Sequence, residues 1–486
     1  MLRLFLFLLI ALPLRSQPII SLPANQLLSV DAAQEDVHIL QKHLRAIHGG
    51  LYTYRTPTAV DSFFQDATSR MEDSLRVLDL YRLVGNLPAF IGDAHTSVRL
   101  PEAFYTYLDT EMRLLPLGVR HLSGRLYLTI NLSADSTIPL GSEILRINGQ
   151  KTTELFQSLL PYFERDGKNE NLPARELSSL FMDYYGFLYE EPDTFTLQLK
   201  LGNGAEKQVV LPAEKWPVLE KRVAAYWAER NVGKSPQLPL GFTVTDGAGY
   251  LRVSTFNPGK LRRAKQSSGS FFRKVFTQLR EKKIDQLVID LRGNGGGSDI
   301  EVITLLRYLL PSPFQLYDEL SVASLTVPDH QYYPTDNLRK AEKAARKVYV
   351  PVGDRFLDQK SPAVRITEPE QEVFRGKIYV LIDERTASAA GDFCGALQHR
   401  GRATFVGRET GGNANVNGGG FRPTLVLPNS GLRVDIPTLR YRIRNQVNNH
   451  GFGVRPDHQV QYTVTDIIAG TDLEMQLVRE LLKTGN

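Results

Sequence analysis

Apolar positions recur at three- and four-residue spacing through Val37-His38-Ile39-Leu40-Gln41-Lys42-His43-Leu44, the pattern of a helix with one buried face. Similar runs extend from Val60 to Met71 and from Leu78 to Ala89, so residues 31 to about 92 are predicted to be helical. From Leu115 the period shortens to two. Leu126 to Ile130 and Glu143 to Ile147 read as strands, and Asn148-Gly149 marks a tight turn after the second. Thr153 to Leu160 reads as a short helix stopped by Pro161. Residues 163 to 194 read as an irregular, partly helical insertion, and Phe195 to Leu201 returns to strand. Beyond Gly241 strands and helices alternate. Tyr250 to Phe256, Leu287 to Leu291 and Ile378 to Ile382 are predicted strands; Leu261 to Lys283, Ile300 to Leu310 and Ala389 to His399 are predicted helices. That alternation builds a layered α/β domain.

The chain begins Met1-Leu2-Arg3, runs through an almost wholly apolar stretch from Leu4 to Leu14, and continues Arg15-Ser16-Gln17. A positive start, a short apolar stretch and a small residue near its end read as a signal peptide over residues 1–17, cut near Ser16. An uncleaved anchor is the alternative, although the stretch falls short of the roughly 20 residues of a comfortable span. Either way the remainder is expected outside the cytoplasm, periplasmic or extracellular, with no integral membrane span after signal removal. At 486 residues the chain suits about three domains: helical over 25–110, β-rich over 113–213, and an α/β core over 225–486.

Composition narrows the chemistry. Lys and Arg number 58 against 53 Asp and Glu, a net charge of +5 that is dilute over this length. The basic runs at 260–265 and 339–347 lack interleaved aromatics and read as solvated helix faces, so no nucleic-acid partner is expected. The single cysteine, Cys394, rules out an intrachain disulfide and a thiolate-rich zinc site. Nine histidines form no HExxH and no recurrent ligand spacing, so neither metal nor cofactor is expected.

Two segments carry candidate chemistry. Val288-Ile289-Asp290-Leu291 runs into Arg292-Gly293-Asn294-Gly295-Gly296-Gly297-Ser298, with Ser298 and Glu301 spaced as a capping box. Adjacent glycines permit positive φ and bare the backbone N–H groups. On these residues alone a phosphate cradle, an oxyanion hole and a plain tight turn all stay open. The second segment is Asp383-Glu384-Arg385-Thr386-Ala387-Ser388-Ala389-Ala390, where Ser388 falls between a strand and a helix among small neighbours. Such a turn exposes a hydroxyl, and the N–H of Ala389 can bind an oxyanion. Read alone, Ser388 or Thr386 can equally be an N-cap.

Taken together, Asp290 to Gly297, Thr386-Ala387-Ser388-Ala389, Val406-Gly407-Arg408-Glu409-Thr410-Gly411-Gly412 and Gly453-Val454-Arg455-Pro456-Asp457 resemble the motif blocks of the tail-specific, or C-terminal processing, serine protease family. Ile138-Pro139-Leu140-Gly141-Ser142-Glu143-Ile144-Leu145-Arg146-Ile147-Asn148-Gly149 resembles a segment of PDZ domains. The resemblance implies a multi-domain α/β protein: a crotonase-like α/β catalytic core, a PDZ-like domain and the N-terminal helices. It implies Ser388 as nucleophile. One branch of the family draws its base from a lysine about 25 residues on, where this chain has Asn413. The other branch resembles the tricorn protease core and the retinoid-binding protein of the photoreceptor matrix. Its base is a histidine in Gly-Asp-x-His-Thr, matched here by Gly92-Asp93-Ala94-His95-Thr96, which implies His95 as general base. Two positions depart from that branch: Ala94 replaces a serine and His450 replaces a glutamate. His450 becomes a possible orienter, with Asp93, Glu409, Asp392 and Asp457 as alternative acids.

The expectation is an exported serine peptidase acting on peptide or protein substrates. Ser388 attacks, His95 takes its proton, and the N–H groups of Ala389, Gly295 and Gly296 hold the oxyanion. The alternative is a catalytically idle peptide- or apolar-ligand-binding protein on the same scaffold.

Overall fold

Near-continuous apolar runs such as Leu287-Val288-Ile289 and Ile378-Tyr379-Val380-Leu381-Ile382 suit strands buried on both faces of a mainly parallel sheet. The computed structural model describes residues 26–189, 191–230, 237–334, 337–444 and 450–484; the expected signal peptide lies outside them. Its central sheet has the order Leu240–Thr245, Ala248–Val253, Gln286–Asp290, Lys377–Ile382, Thr404–Gly407 and His458–Gln459. Only the first pair is antiparallel. The helix Ala389–His399 is buried from Ala389 to Leu397 and lies against this sheet. Its Cys394 is fully buried, which pushes the thiol well above the ordinary range and makes it inert.

The β-rich segment is antiparallel, ordered Glu206–Pro212, Thr194–Lys200, Glu143–Ile147, Arg125–Asn131 and Leu117–Leu122, the last being an edge. Asn148 and Gly149 take φ of 48° and 80°, as a two-residue hairpin turn requires. The chain is therefore an α/β protein of several sheets. One expectation is corrected. The helix predicted from Leu261 to Lys283 is two, Pro258–Arg263 and Ser268–Glu281, because Gln266 leaves the helical path to hydrogen-bond both backbone groups of Leu240 (2.9 and 2.7 Å). The helical part expected within residues 163 to 194 is one long helix, Asn171–Leu188, which buries Leu177, Phe181 and Tyr185 at four-residue spacing.

The N-terminal helices Val30–Ile47, Pro57–Ser69, Val77–Val84 and Leu87–Ile91 share one hydrophobic core with the β-rich segment. Leu425, Leu432, Val434 and Ile436, from near the other end of the chain, join the same core. The junction is a short strand: Ser97–Arg99 pairs antiparallel with Arg433–Asp435. Asp435 accepts hydrogen bonds from Ser97 Oγ (3.0 Å), Arg99 Nη2 (2.8 Å) and Thr424 Oγ1 (2.6 Å). Asp435→Ala removes all three, and we expect a loss of about 2 kcal/mol in urea unfolding, with Asp435→Asn losing less.

Candidate active site

The Ser97–Arg99 strand fixes what comes just before it. Leu87–Ile91 ends at Gly92, whose φ of 78° gives the left-handed cap that favours glycine. Asp93 Oδ1 then accepts from the N–H groups of His95 (2.7 Å) and Thr96 (3.0 Å), folding the loop into a side-chain-closed turn. A methyl group on Gly418 would collide with Asp93. Behind the loop, His48 Nδ1 accepts from Gly50 N–H (3.0 Å), so its Nε2 bears the proton and donates to Thr96 Oγ1 (2.8 Å).

Asp166 holds this loop against the core. Its Oδ1 accepts from Ala94 N–H (2.9 Å) and its Oδ2 from Asn413 N–H (3.3 Å). Around it, Gly167 N–H donates to Gly92 O (2.9 Å) and Asn169 Nδ2 to Thr410 O (2.6 Å). Burial, then the nearby Asp93 carboxylate, pushes Asp166 up to about 7.

The serine segment is equally constrained. Ser388 stands at the head of Ala389–His399 with φ 52° and ψ −134°, outside the regions open to ordinary residues, at a cost of about 1–3 kcal/mol. Its side chain makes no capping bond, so the N-cap reading of Ser388 fails and its hydroxyl is free for other work. The turn is pinned by Ala387 N–H to Asn294 O (3.1 Å), Gly411 N–H to Thr386 O (3.0 Å) and Thr386 Oγ1 to Leu291 O (3.1 Å). The result is a distance of 3.2 Å between His95 Nε2 and Ser388 Oγ. Burial, opposed by Asp93 and reinforced by Arg422, holds the His95 imidazole below the ordinary histidine range, so it is neutral near pH 7.

The glycine loop packs on the same turn. A methyl group on Gly296 would lie 2.8 Å from both Ala389 N and Ser388 Cβ. Gly296 N–H, however, donates to Asn294 Oδ1 (2.9 Å), which corrects its assignment as an oxyanion donor; its part is close approach. Gly296 C=O accepts from Phe256 N–H (3.0 Å). Because a trans peptide sets N–H opposite C=O, the Gly297 N–H points the other way. Gly295 and Gly297 both line the cleft. Ser298 Oγ caps its helix by accepting from Ile300 N–H (3.2 Å), but its own N–H goes to Phe256 O (2.8 Å), so no reciprocal box with Glu301 closes.

His450 is exposed, and the buried Nδ1 of His95 has no hydrogen-bond partner among the described residues. The structure therefore does not bring His450 to His95. The other acids are committed elsewhere: Asp392 accepts from Tyr317 OH (2.6 Å) and Asn417 Nδ2 (2.7 Å), Glu409 from Gly453 N–H (2.8 Å), Asp457 from Phe405 N–H (2.7 Å). Burial pushes Asp392 up to about 8. Of these acids, Asp93 is the one whose field reaches the imidazole, against that of Arg422. Among the described residues no three His, Cys, Asp or Glu are grouped to hold a metal ion. Asp166, Asn294 and Gly297 were not singled out as site residues in the sequence; the adjacency of Asn294 and Gly297 to other glycines was their only signal.

Ser388, His95 and the glycine loop open onto one cleft of about 1520 Å³. Leu172, Leu180, Phe181 and Met182 give it apolar lining, and Leu117-Gly118-Val119 of the edge strand line it as well.

Residues 247–460 match the profile of peptidase family S41. A carboxyl-terminal-processing protease of Synechocystis sp. is 23% identical over 240 residues, 49% of this chain and 44% of that protein. The chain thus spans less than half the length of that relative. An uncharacterized protein of Chlamydia muridarum is 23% identical over 84% of each chain. Among solved structures, mature CPAF complexed with lactacystin has a TM-score of 0.61 at 19% identity, covering 93% of this chain and 98% of that one. At that identity the likeness shows the fold.

Gly296→Ala drives a methyl group into the serine turn, and we expect it to cut reactivity of Ser388 more than tenfold while circular dichroism stays native; unchanged reactivity would contradict the packing described.

Proposed function

Starting from a chain whose residues 247–460 form a peptidase family S41 segment, we propose that it is a serine peptidase of the C-terminal processing kind, exported, acting on peptide or protein substrates by an acyl-enzyme route. The observation that carries this reading is the 3.2 Å approach of His95 Nε2 to Ser388 Oγ, made by residues 293 apart in sequence. With its proton on Nδ1, His95 accepts the Ser388 hydroxyl proton as Oγ attacks the scissile carbonyl. The N–H groups of Ala389 and Gly297 receive the developing oxyanion, with Gly295 beside them; one such donor is worth roughly 3 kcal/mol of barrier. The imidazolium gives its proton to the leaving amine, and water then hydrolyses the ester. Asp93 stabilises the imidazolium through space, and Asp166 positions its loop. The edge strand at Leu117–Leu122 provides a site for the substrate to add as a strand, as expected of a PDZ-like segment.

A second reading is an idle binding protein on this scaffold, and the unpartnered Nδ1 of His95 is what favours it. A fluorophosphonate probe separates the two. We expect labelling of the folded protein that vanishes in Ser388→Ala and slows at least about a hundredfold in His95→Ala; folded protein that stays unlabelled supports the binder.

The pH dependence has a definite sign. Only neutral His95 accepts the proton, and its buried pKa lies below the ordinary value near 6.5. The acid limb of kcat/KM is therefore expected below pH 6.5, with activity rising as pH rises through it. A midpoint above pH 7 would exclude His95 as the base.

A further inference from the structure

Averaged over the chain the positive charge is dilute, but it is not spread evenly. Residues 338–366 carry eight Lys and Arg against three Asp and Glu, a net of +5 that equals the net charge of all 486 residues. The segment folds as the helix Leu338–Val348 and a hairpin, Tyr349–Val352 with Arg355–Asp358, whose first strand is an edge of its sheet. At 3.6 residues per turn Arg339, Lys340, Lys343, Arg346 and Lys347 fall within an arc of about 120°, and all five are exposed. Leu338, Ala341, Ala345 and Val348 lie on the opposite side of the helix, with Leu338 in the core. The one acid of the helix, Glu342, is held by Val327 N–H (2.8 Å) and His330 Nε2 (2.8 Å), and Arg346 reaches it only through its field. Among the described residues none of the five cations forms an ion pair. Lys360 Nζ donates to Lys347 O (2.8 Å) and Arg365 Nε to Gln359 O (3.3 Å), which carries the basic surface past the end of the helix. Of the eight cations Arg355 alone turns inward, to Gly49 O (2.7 Å) and Ser321 Oγ (2.8 Å).

Aliphatic side chains stand in the same surface. Val352 is 45% exposed and Ile366 71%, the most of any large apolar residue among those described. Val350, also exposed, projects beside Val352 from one face of the edge strand. Unanswered cations call for an anionic partner, and the aliphatic groups say which. A nucleic acid is met by aromatic faces between the cations, but Tyr349 and Phe356 are half-buried and no aromatic residue of this segment is exposed. An anionic bilayer draws ammonium and guanidinium groups to its headgroups and offers valine and isoleucine an apolar layer to enter.

We propose that the helix Leu338–Val348, with the edge strand after it and Ile366, docks peripherally on an anionic lipid surface. Phe421 lines one hollow with Ala344 and Val348, and its neighbour Arg422 lines the cleft, so the docked face adjoins the cleft rim. The proposal is independent of the peptidase reading.

The test uses the full chain and reads the patch itself. Cys394, the one cysteine, is buried and inert, so Val352→Cys takes a polarity-sensitive nitrobenzoxadiazole label at that position alone. Titration with vesicles of phosphatidylcholine mixed with phosphatidylglycerol should brighten the label at least twofold, and phosphatidylcholine alone should not. The same label at Val210→Cys, exposed on the β-rich sheet, should stay unchanged. Lys340→Gln, Lys343→Gln and Lys347→Gln together should weaken the response at least tenfold, while Arg262→Gln, Arg263→Gln and Lys265→Gln in the other basic run leave it intact. Where the first triple variant does not fold, added salt decides, because it must weaken the response of the labelled protein by as much. No brightening, equal brightening on neutral vesicles or at Val210→Cys, or equal loss in both triple variants overturns the docking surface. A DNA duplex that binds the same protein at least tenfold more tightly than the mixed vesicles also overturns it and assigns the cations to nucleic acid.

Discussion

The histidine half of the site depends on a backbone pairing of three residues with three. Ser97–Arg99 lies beside Arg433–Asp435 in antiparallel register, with Val98 opposite Val434 and both side chains buried. This pairing ties the loop carrying His95 to the end of the chain that also supports the serine turn. Together with the Asp166 bridge from Ala94 to Asn413, it brings an imidazole to a hydroxyl 293 residues away. Each hydrogen bond in such a pairing contributes only about 1 kcal/mol, so the buried apolar residues around it carry much of the load. Leu100 on one side and Leu432 and Ile436 on the other belong to the core shared by the N-terminal helices and the β-rich sheet.

His95 and Ser388 are held in opposite ways. His95 sits in a turn closed by Asp93 and braced by Asp166, where carboxylates accept backbone N–H groups and no strain is needed. Ser388 sits in a strained conformation kept in place by Asn294, Thr386 and Gly411, with Gly296 and Gly412 pressed too closely for any side chain. The strain is tolerated because the following helix is buried from Ala389 to Leu397 and packed too tightly to relax it.

Local chemistry was readable in the sequence, and tertiary chemistry was not. The helix Ala389–His399 and the Asn148-Gly149 turn follow from periodicity and turn propensity, and both stand where expected. The meeting of His95 with Ser388 came from motif resemblance, since no spacing rule links residues so far apart. Gln266 shows why boundaries fail: a side chain recruited by Leu240 overrides a helical pattern. Asp166 lay in a stretch that reads as irregular because its partners, Ala94 and Asn413, are distant N–H groups that leave no mark in sequence. His450 failed as an orienter because replacing a carboxylate by an imidazole in a motif does not by itself bring the ring to its partner.

The pairing of Ser97–Arg99 with Arg433–Asp435 also sets a timetable for biosynthesis. A growing chain exposes His95 early and Ser388 much later, yet neither is aligned until residues near 433 have emerged and folded back across most of the molecule. A polypeptide still being made, before residues near 433 are available, carries both groups in an unassembled state. Completion of the fold is thereby the step that brings the imidazole and the hydroxyl together.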